Sequence, residues 1–188
     1  MRKKRSLYDA YQFYSFKPER KVSGVFGDSN ALVIKLSRQG KKPVCGTCGR
    51  VHRTIYDRKD RQVRDLSCGN KRVYLELEIR RVFCLSCNKV KQEKLEFLAD
   101  NPFYTKRFAF YVGKRCNTQT IKDVAEELHL DWKTVKELEK QYLREKLRRA
   151  GKPDPKIIGI DEISIRKGHS YRIVVSDLET KNISGSKS

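Results

Sequence analysis

Four cysteines stand in two pairs, Cys45 and Cys48 in VCGTCGR and Cys84 and Cys87 in VFCLSCNK, with 35 residues between the pairs. Two intervening residues let both sulfurs of a pair point at one ion, and two such pairs complete a tetrahedral zinc site. Gly49 and Asn88 each follow the second cysteine of a pair, where a left-handed backbone suits the turn. With every position filled by thiolate, the ion would hold the fold rather than catalyse. Redox pairs and incidental core thiols are the competing readings of this spacing. Cys68 and Cys116 lack a partner at ligand spacing, and His52 would compete only for a set that four cysteines already fill. Arg50, Arg53, Arg80 and Arg81 would offset the thiolate charge and could face phosphate, although a solvated face accounts for any one of them.

A second candidate for chemistry lies in IIGIDEISIRKGHSYRIVVSDLET. If this strand alternates, Ile157, Asp161, Ile163 and Ile165 share one face, and Ile158, Ile160 and Glu162 the other. A carboxylate among isoleucines is costly unless paired or metal-bound, which makes Asp161 a candidate metal ligand. A salt-bridged or strand-end aspartate is the alternative.

These groups need elements to position them. ALVIKL (31–36) reads as a strand before the first cysteine pair. In RVYLELEIRRVF, Val73, Leu75, Leu77 and Ile79 alternate with Tyr74, Glu76, Glu78 and Arg80, a strand between the pairs. Together they predict a zinc-ribbon-like β module. From Pro102 the period changes. FYTKRFAFYVGKRC (103–116) is a helix with Phe103, Arg107, Phe110 and Lys114 on one side and Phe108, Tyr111 and Val112 on another. Two further helices follow, capped by Thr120 with Asp123 and by Asp131, and stopped by Gly151 and Pro153. Ile121, Val124, Ala125, Leu128, Leu130, Val135 and Leu138 fit helix-turn-helix spacing, with His129 at the turn position that needs left-handed geometry. The last helix would present Trp132, Lys133, Lys136, Glu137 and Lys140 to DNA; a plain αα-hairpin is the alternative. PDPK (153–156) reads as a linker, and KGHS turns the chain into a returning strand, YRIVVSDL.

Charge agrees with a DNA partner. The 188 residues hold 43 Lys and Arg against 23 Asp and Glu, a net charge of +20. Residues 1–150 carry +18 of it. Such an excess favours polyanions, and nucleic acid over a membrane surface. No apolar run approaches the roughly 20 residues that span a bilayer, and MRKKRSLYDAYQFYSF makes a poor secretory signal. The expected location is therefore a reducing cytoplasm, where cysteines serve better as metal ligands than as disulfides.

The order of parts resembles the bacterial insertion-sequence transposases of the ISL3 family. The resemblance is carried by CGTCG, by RDLSCGNKRVYLELEIRRVFCLSC and above all by IIGIDEISIRKGHSYRIVVSDLET, and covers roughly residues 30 to 180. Behind a basic segment (1–30), the expected chain is α+β: a zinc-ribbon-like module (31–98), a helix-turn-helix segment (99–150) and, as the resemblance implies, the start of a DDE catalytic domain of ribonuclease-H-like fold (151–188). By this resemblance Asp161 is the first acid of the DDE triad, which in the complete enzyme holds magnesium or manganese to activate water and then a DNA 3′-hydroxyl. The front modules would recognise terminal inverted repeats, and another copy or an intact transposase would be the protein partner. The family's catalytic domain continues with a further Asp and Glu; Asp177 and Glu179, on or just after the same hairpin, do not take those places. The expectation is thus a chain truncated after one hairpin with unpaired edges, ending in a featureless KNISGSKS, that binds DNA without cutting it. A zinc-ribbon and helix-turn-helix regulator without enzymatic activity is the alternative.

Overall fold

The computed structural model describes residues 6–40, 42–150, 156–166, 170–178 and 182–187. They fall into two compact units, Met1–Arg144 and Glu145–Ser188.

The first unit begins with a 3-10 turn, Leu7–Tyr11, capped by Ser6. Strands β1 (Phe16–Val25), β2 (Asp28–Arg38), β3 (Asp57–Cys68), β4 (Lys71–Cys84) and β5 (Lys89–Gln92) form a sheet of order β1-β2-β4-β3, with β5 on the far end of β4. All neighbours are antiparallel except β2 and β4, which run parallel from Ala31 opposite Arg72 to Leu36 opposite Leu77. The alternation in β4 does what its period requires. Val73, Leu75, Leu77 and Ile79 are buried against Ile34, Leu36, Val63, Phe16, Tyr11 and Leu98. Phe13 stacks on Phe97 at 4.3 Å, and Phe16 meets the same ring edge-on at 5.6 Å, closing the core.

Residues 16–25, read from sequence as part of a basic segment, thus form a strand of this sheet. β1 buries only Phe16, so it has no period to read. β3 was equally silent, because its buried residues are the consecutive Val63, Arg64 and Asp65.

Helices α1 (Lys106–Arg115), α2 (Ile121–Leu128) and α3 (Trp132–Ala150) complete the unit as far as Arg144. The first starts at Lys106 because Thr105 caps it, accepting from the Phe108 N–H. Phe108, Ala109 and Val112 of α1 pack with Val124, Ala125 and Leu128 of α2 and Val135 and Leu138 of α3. Gly113 lets α1 approach α3. A methyl group there would sit 2.3 Å from Tyr142 Cβ, far inside van der Waals contact. Gly113→Ala should therefore lower stability by about 1–3 kcal/mol, although the same change in an open helix adds roughly 1 kcal/mol. Thermal melting followed by circular dichroism decides the sign. An unchanged or raised midpoint would mean that the helices are not held this closely.

The second unit contains β6 (Ile158–Arg166), β7 (Ser170–Asp177) and β8 (Asn182–Lys187), an antiparallel meander of order β6-β7-β8. Two sequence expectations change here. The tail is not featureless: Asn182–Lys187 pairs with β7 as a third strand, so the sheet is more than one hairpin. And Asp161 is not sunk among isoleucines, since it is exposed together with Ile158, Ile160 and Ile163. Its carboxylate keeps its water, so burial alone does not demand a partner. Gly151, Pro153 and most of the PDPK linker lie outside the described residues, as do Lys167, Gly168 and His169 of the KGHS turn.

Candidate metal centre and nucleic-acid interface

Each cysteine pair is presented by a small, hydrogen-bonded turn. In the first, the Cys45 N–H donates to the Arg50 carbonyl at 2.8 Å and the Gly49 N–H to the Cys45 carbonyl at 3.0 Å. Gly49 takes the left-handed conformation at φ +73°. In the second, β4 and β5 pair up to Cys84 opposite Lys89, and the Cys87 N–H donates to the Cys84 carbonyl at 3.1 Å. Asn88 supplies the left-handed residue at φ 48°, as its place after the pair predicts. The two turns are tied together by the Gly46 N–H, which donates to the Gln92 carbonyl at 3.0 Å.

The four sulfurs lie within 4.8 Å of one another. Cys45 and Cys87 are 3.9 Å apart, Cys48 and Cys84 3.5 Å. Tetrahedral zinc with Zn–S bonds of about 2.3 Å needs sulfurs about 3.8 Å apart, so the donor set fits that ion. Cys45 and Cys84 are fully buried, Cys87 half-buried and Cys48 exposed. The peptide N–H groups of Cys48 and Thr47 hold the Cys45 thiol down at about 6. Cys87 is pushed up to about 12, first by its hydrogen bond with Cys48 and then by burial among the other thiols. Such a cluster cannot become fully anionic by itself, whereas a divalent cation stabilises all four thiolates. Cys68, Cys116 and His52 are not part of the group.

Sequence reasoning missed what braces this centre. Glu93 is buried, bridges to Cys45 along the chain edge, and receives the guanidinium of Arg38 and the Arg80 N–H, the latter at 2.8 Å. Arg38 also donates to the Glu78 carbonyl at 2.8 Å. In KVKQEK a glutamate reads as solvated charge, so no signal was there to find. Of the four arginines expected around the metal, Arg80 is engaged by Glu78 at 2.6 Å and Arg81 by Asp57, while Arg50 and Arg53 are exposed. A second missed group joins sheet to helices. Asp65 is fully buried and accepts from Thr105 Oγ1 and Arg107 Nε, both at 2.7 Å.

The helix-turn-helix forms as its pattern requires. Thr120 Oγ1 accepts from the Asp123 N–H at 3.2 Å, His129 turns the chain at φ 51°, and Asp131 Oδ2 accepts from Lys133 and Thr134 N–H at 3.1 and 3.3 Å. Trp132 is 53% exposed at the start of α3, with Lys133 Nζ 5.8 Å from its ring centre. Lys136 and Lys140 follow on the exposed surface. Glu137 is also exposed, accepts from Asn101 Nδ2 at 3.3 Å and keeps its negative charge next to the lysines.

Asp161 accepts from the Glu162 N–H at 2.8 Å and lies opposite Val174 in register. Among the described residues no group of three possible metal-binding side chains forms around it; the four cysteines are the group found. No described helix is long and apolar enough to cross a membrane.

The zinc-finger of transposase IS204/IS1001/IS1096/IS1165 matches residues 41–87, and the helix-turn-helix domain of transposase family ISL3 matches residues 93–143. The chain is similar to the transposase for insertion sequence element IS1001 of Bordetella parapertussis, 32% identical over 146 residues. That match takes in 78% of this chain and 36% of the relative, so the chain spans about a third of the curated protein it matches. No solved structure matches.

Proposed function

Because the chain belongs to the ISL3 transposase family by its zinc ribbon and its helix-turn-helix, we propose that it serves as the DNA-binding portion of such an enzyme, recognising the terminal inverted repeats of its element. Cys45, Cys48, Cys84 and Cys87 hold a structural zinc ion that fixes the ribbon. Trp132, Lys133, Lys136 and Lys140 of α3 meet the duplex, the lysines at phosphates and the tryptophan at the groove floor. Asp161 stands as the first metal-binding acid of the family's DDE site, where magnesium or manganese would sit in the complete enzyme. Its place on β6, which among the described residues pairs only with β7, supports that reading, because further strands could extend the sheet beside it.

The observation that carries the proposal is the α3 face: three lysines and a tryptophan left in water on a helix whose opposite side is packed. The combined change Lys133→Ala, Lys136→Ala and Lys140→Ala should weaken duplex binding. It should also flatten the plot of log K against log salt by about three units of slope, roughly one per phosphate contact. Fluorescence anisotropy across a salt series measures both. An unaltered slope would remove α3 from the interface.

A further inference from the structure

The β1–β2 hairpin carries an aromatic side chain that packs against nothing. Phe26 stands in the two-residue turn between Val25 and Asp28, which pair with each other, and it is fully exposed at 105% of its reference area. Yet the turn is held firmly. Gly27 closes it at φ +79°, Asp28 is bound by the Arg72 guanidinium, and Asp28 Oδ1 accepts from the Asn30 N–H at 3.0 Å. Lys71 Nζ donates to the Ser29 carbonyl at 2.8 Å and to Asn30 Oδ1 at 3.3 Å. A braced turn that spends its outermost position on an unburied phenyl ring is built to present that ring, since a polar residue there would leave every one of these bonds intact.

The strand leading to the tip carries unpaired cations. The register of β1 against β2 jumps between Pro18 and Val22, so Glu19, Arg20 and Lys21 bulge outward, all exposed. Tyr8 Oη fixes the bulge by donating to the Arg20 carbonyl at 2.7 Å. Among the described residues Lys17, Arg20 and Lys21 have no ion-pair partner, although Glu19 and Glu76 share a surface hollow with Lys21 and Phe26. An apolar tip behind free cations suits a polyanion with stacked, separable apolar layers. Duplex DNA has that chemistry, and apolar side chains wedge between its base steps from the minor groove. From this hairpin we infer that the chain has a second DNA contact in addition to α3: Phe26 wedges between base pairs while Arg20 and Lys21, and Lys17 farther down the strand, hold phosphates along the duplex. The inference rests on the reading of this chain as a duplex-DNA binder, and adds deformation of the DNA to it.

The test uses the full chain and mixed-sequence duplexes of about 30 base pairs with 2-aminopurine at pyrimidine–purine steps, which unstack most readily. Binding of the unaltered protein should raise 2-aminopurine fluorescence. Phe26→Ala should abolish that rise and weaken binding roughly tenfold, with the salt slope and the thermal midpoint unchanged, because the ring bears no charge and buries no surface. Phe26→Leu should restore part of the signal. Arg20→Ala with Lys21→Ala should instead lower the salt slope by about two. If Phe26→Ala binds and unstacks like the unaltered chain, the wedge is wrong and the α3 reading survives. If Phe26→Ala changes the sedimentation mass of the free protein and leaves DNA binding alone, the tip is a protein contact and the inference falls. If the unaltered chain ignores duplex DNA at low salt, both readings fall.

Discussion

Stripping zinc from the purified chain with a strong chelator should abolish its cooperative thermal transition and release about one ion per chain. Cys45 and Cys84 are fully buried, and all four thiols lie within 4.8 Å, so the metal-free site is either repelling thiolates or crowded protonated thiols. Small zinc modules draw roughly 10–16 kcal/mol of apparent binding free energy from such a centre, as much as the whole net stability of a typical domain. Here the loss would not stay local. The second cysteine pair terminates β4, and Glu93 beside the first is clasped by Arg38 of β2. Cys84→Ser should reproduce the effect. Acid should act in the same direction, because thiolate ligands must take up protons as zinc leaves, so the metal-bound fold is favoured as pH rises. Elemental analysis with circular dichroism reads both. A chain that keeps its full transition after losing its metal would show that the cysteines are ordinary core thiols.

Arg107→Ala should lower stability by about 3–5 kcal/mol, the usual consequence of leaving a buried charge, here the Asp65 carboxylate, without its counterpart. Asp65 has no exposed surface, and its two oxygens are occupied by Thr105 Oγ1 and the fork of Arg107. Thr105 caps α1, Arg107 lies in its first turn, and Asp65 belongs to β3, so this one carboxylate fixes the start of α1 against the sheet. The Arg107 guanidinium in turn is held charged by that hydrogen bond, its pKa raised above the usual arginine value. Asp65→Ala alone should be less damaging, because the guanidinium it leaves is one-third exposed and reaches water, and the double change should cost little more than Arg107→Ala, since the two act as a unit. Chemical denaturation of the set measures this. Additive losses from the two substitutions would dissolve the clasp into two unrelated contacts.

What was legible in the sequence was whatever had a period or a fixed spacing. The cysteine pairs needed only spacing, and the structure brings their sulfurs together. Leu75 and its neighbours in β4 needed only alternation, and Val124 to Leu138 only helix-turn-helix spacing. Asp65, Arg107, Glu93 and Arg38 were illegible for the opposite reason. Each is a charged residue with no local signal of burial, and only a distant partner, 42 residues away for Arg107, makes its place tolerable. Asp161 shows the reverse error: flanking isoleucines suggested burial, but they are exposed with it. Phe26 was passed over because one aromatic in a polar hairpin has no periodicity to break.

The parallel pairing of β2 with β4 also bears on which part of this chain could be transplanted. The matched zinc-finger stretch, 41–87, looks like a self-contained cassette. Its central strand nevertheless has a partner at Asp28–Arg38, outside that stretch, and its last strand, β5, begins after it at Lys89. A graft cut at those borders would carry the metal ligands but leave β4 with a bare hydrogen-bonding edge and its apolar face uncovered, a recipe for aggregation. Keeping those pairings takes Asp28 through Gln92, and keeping Phe16 and Leu98 over the apolar face of β4 widens the piece to 16–98, nearly twice the stretch that is recognised.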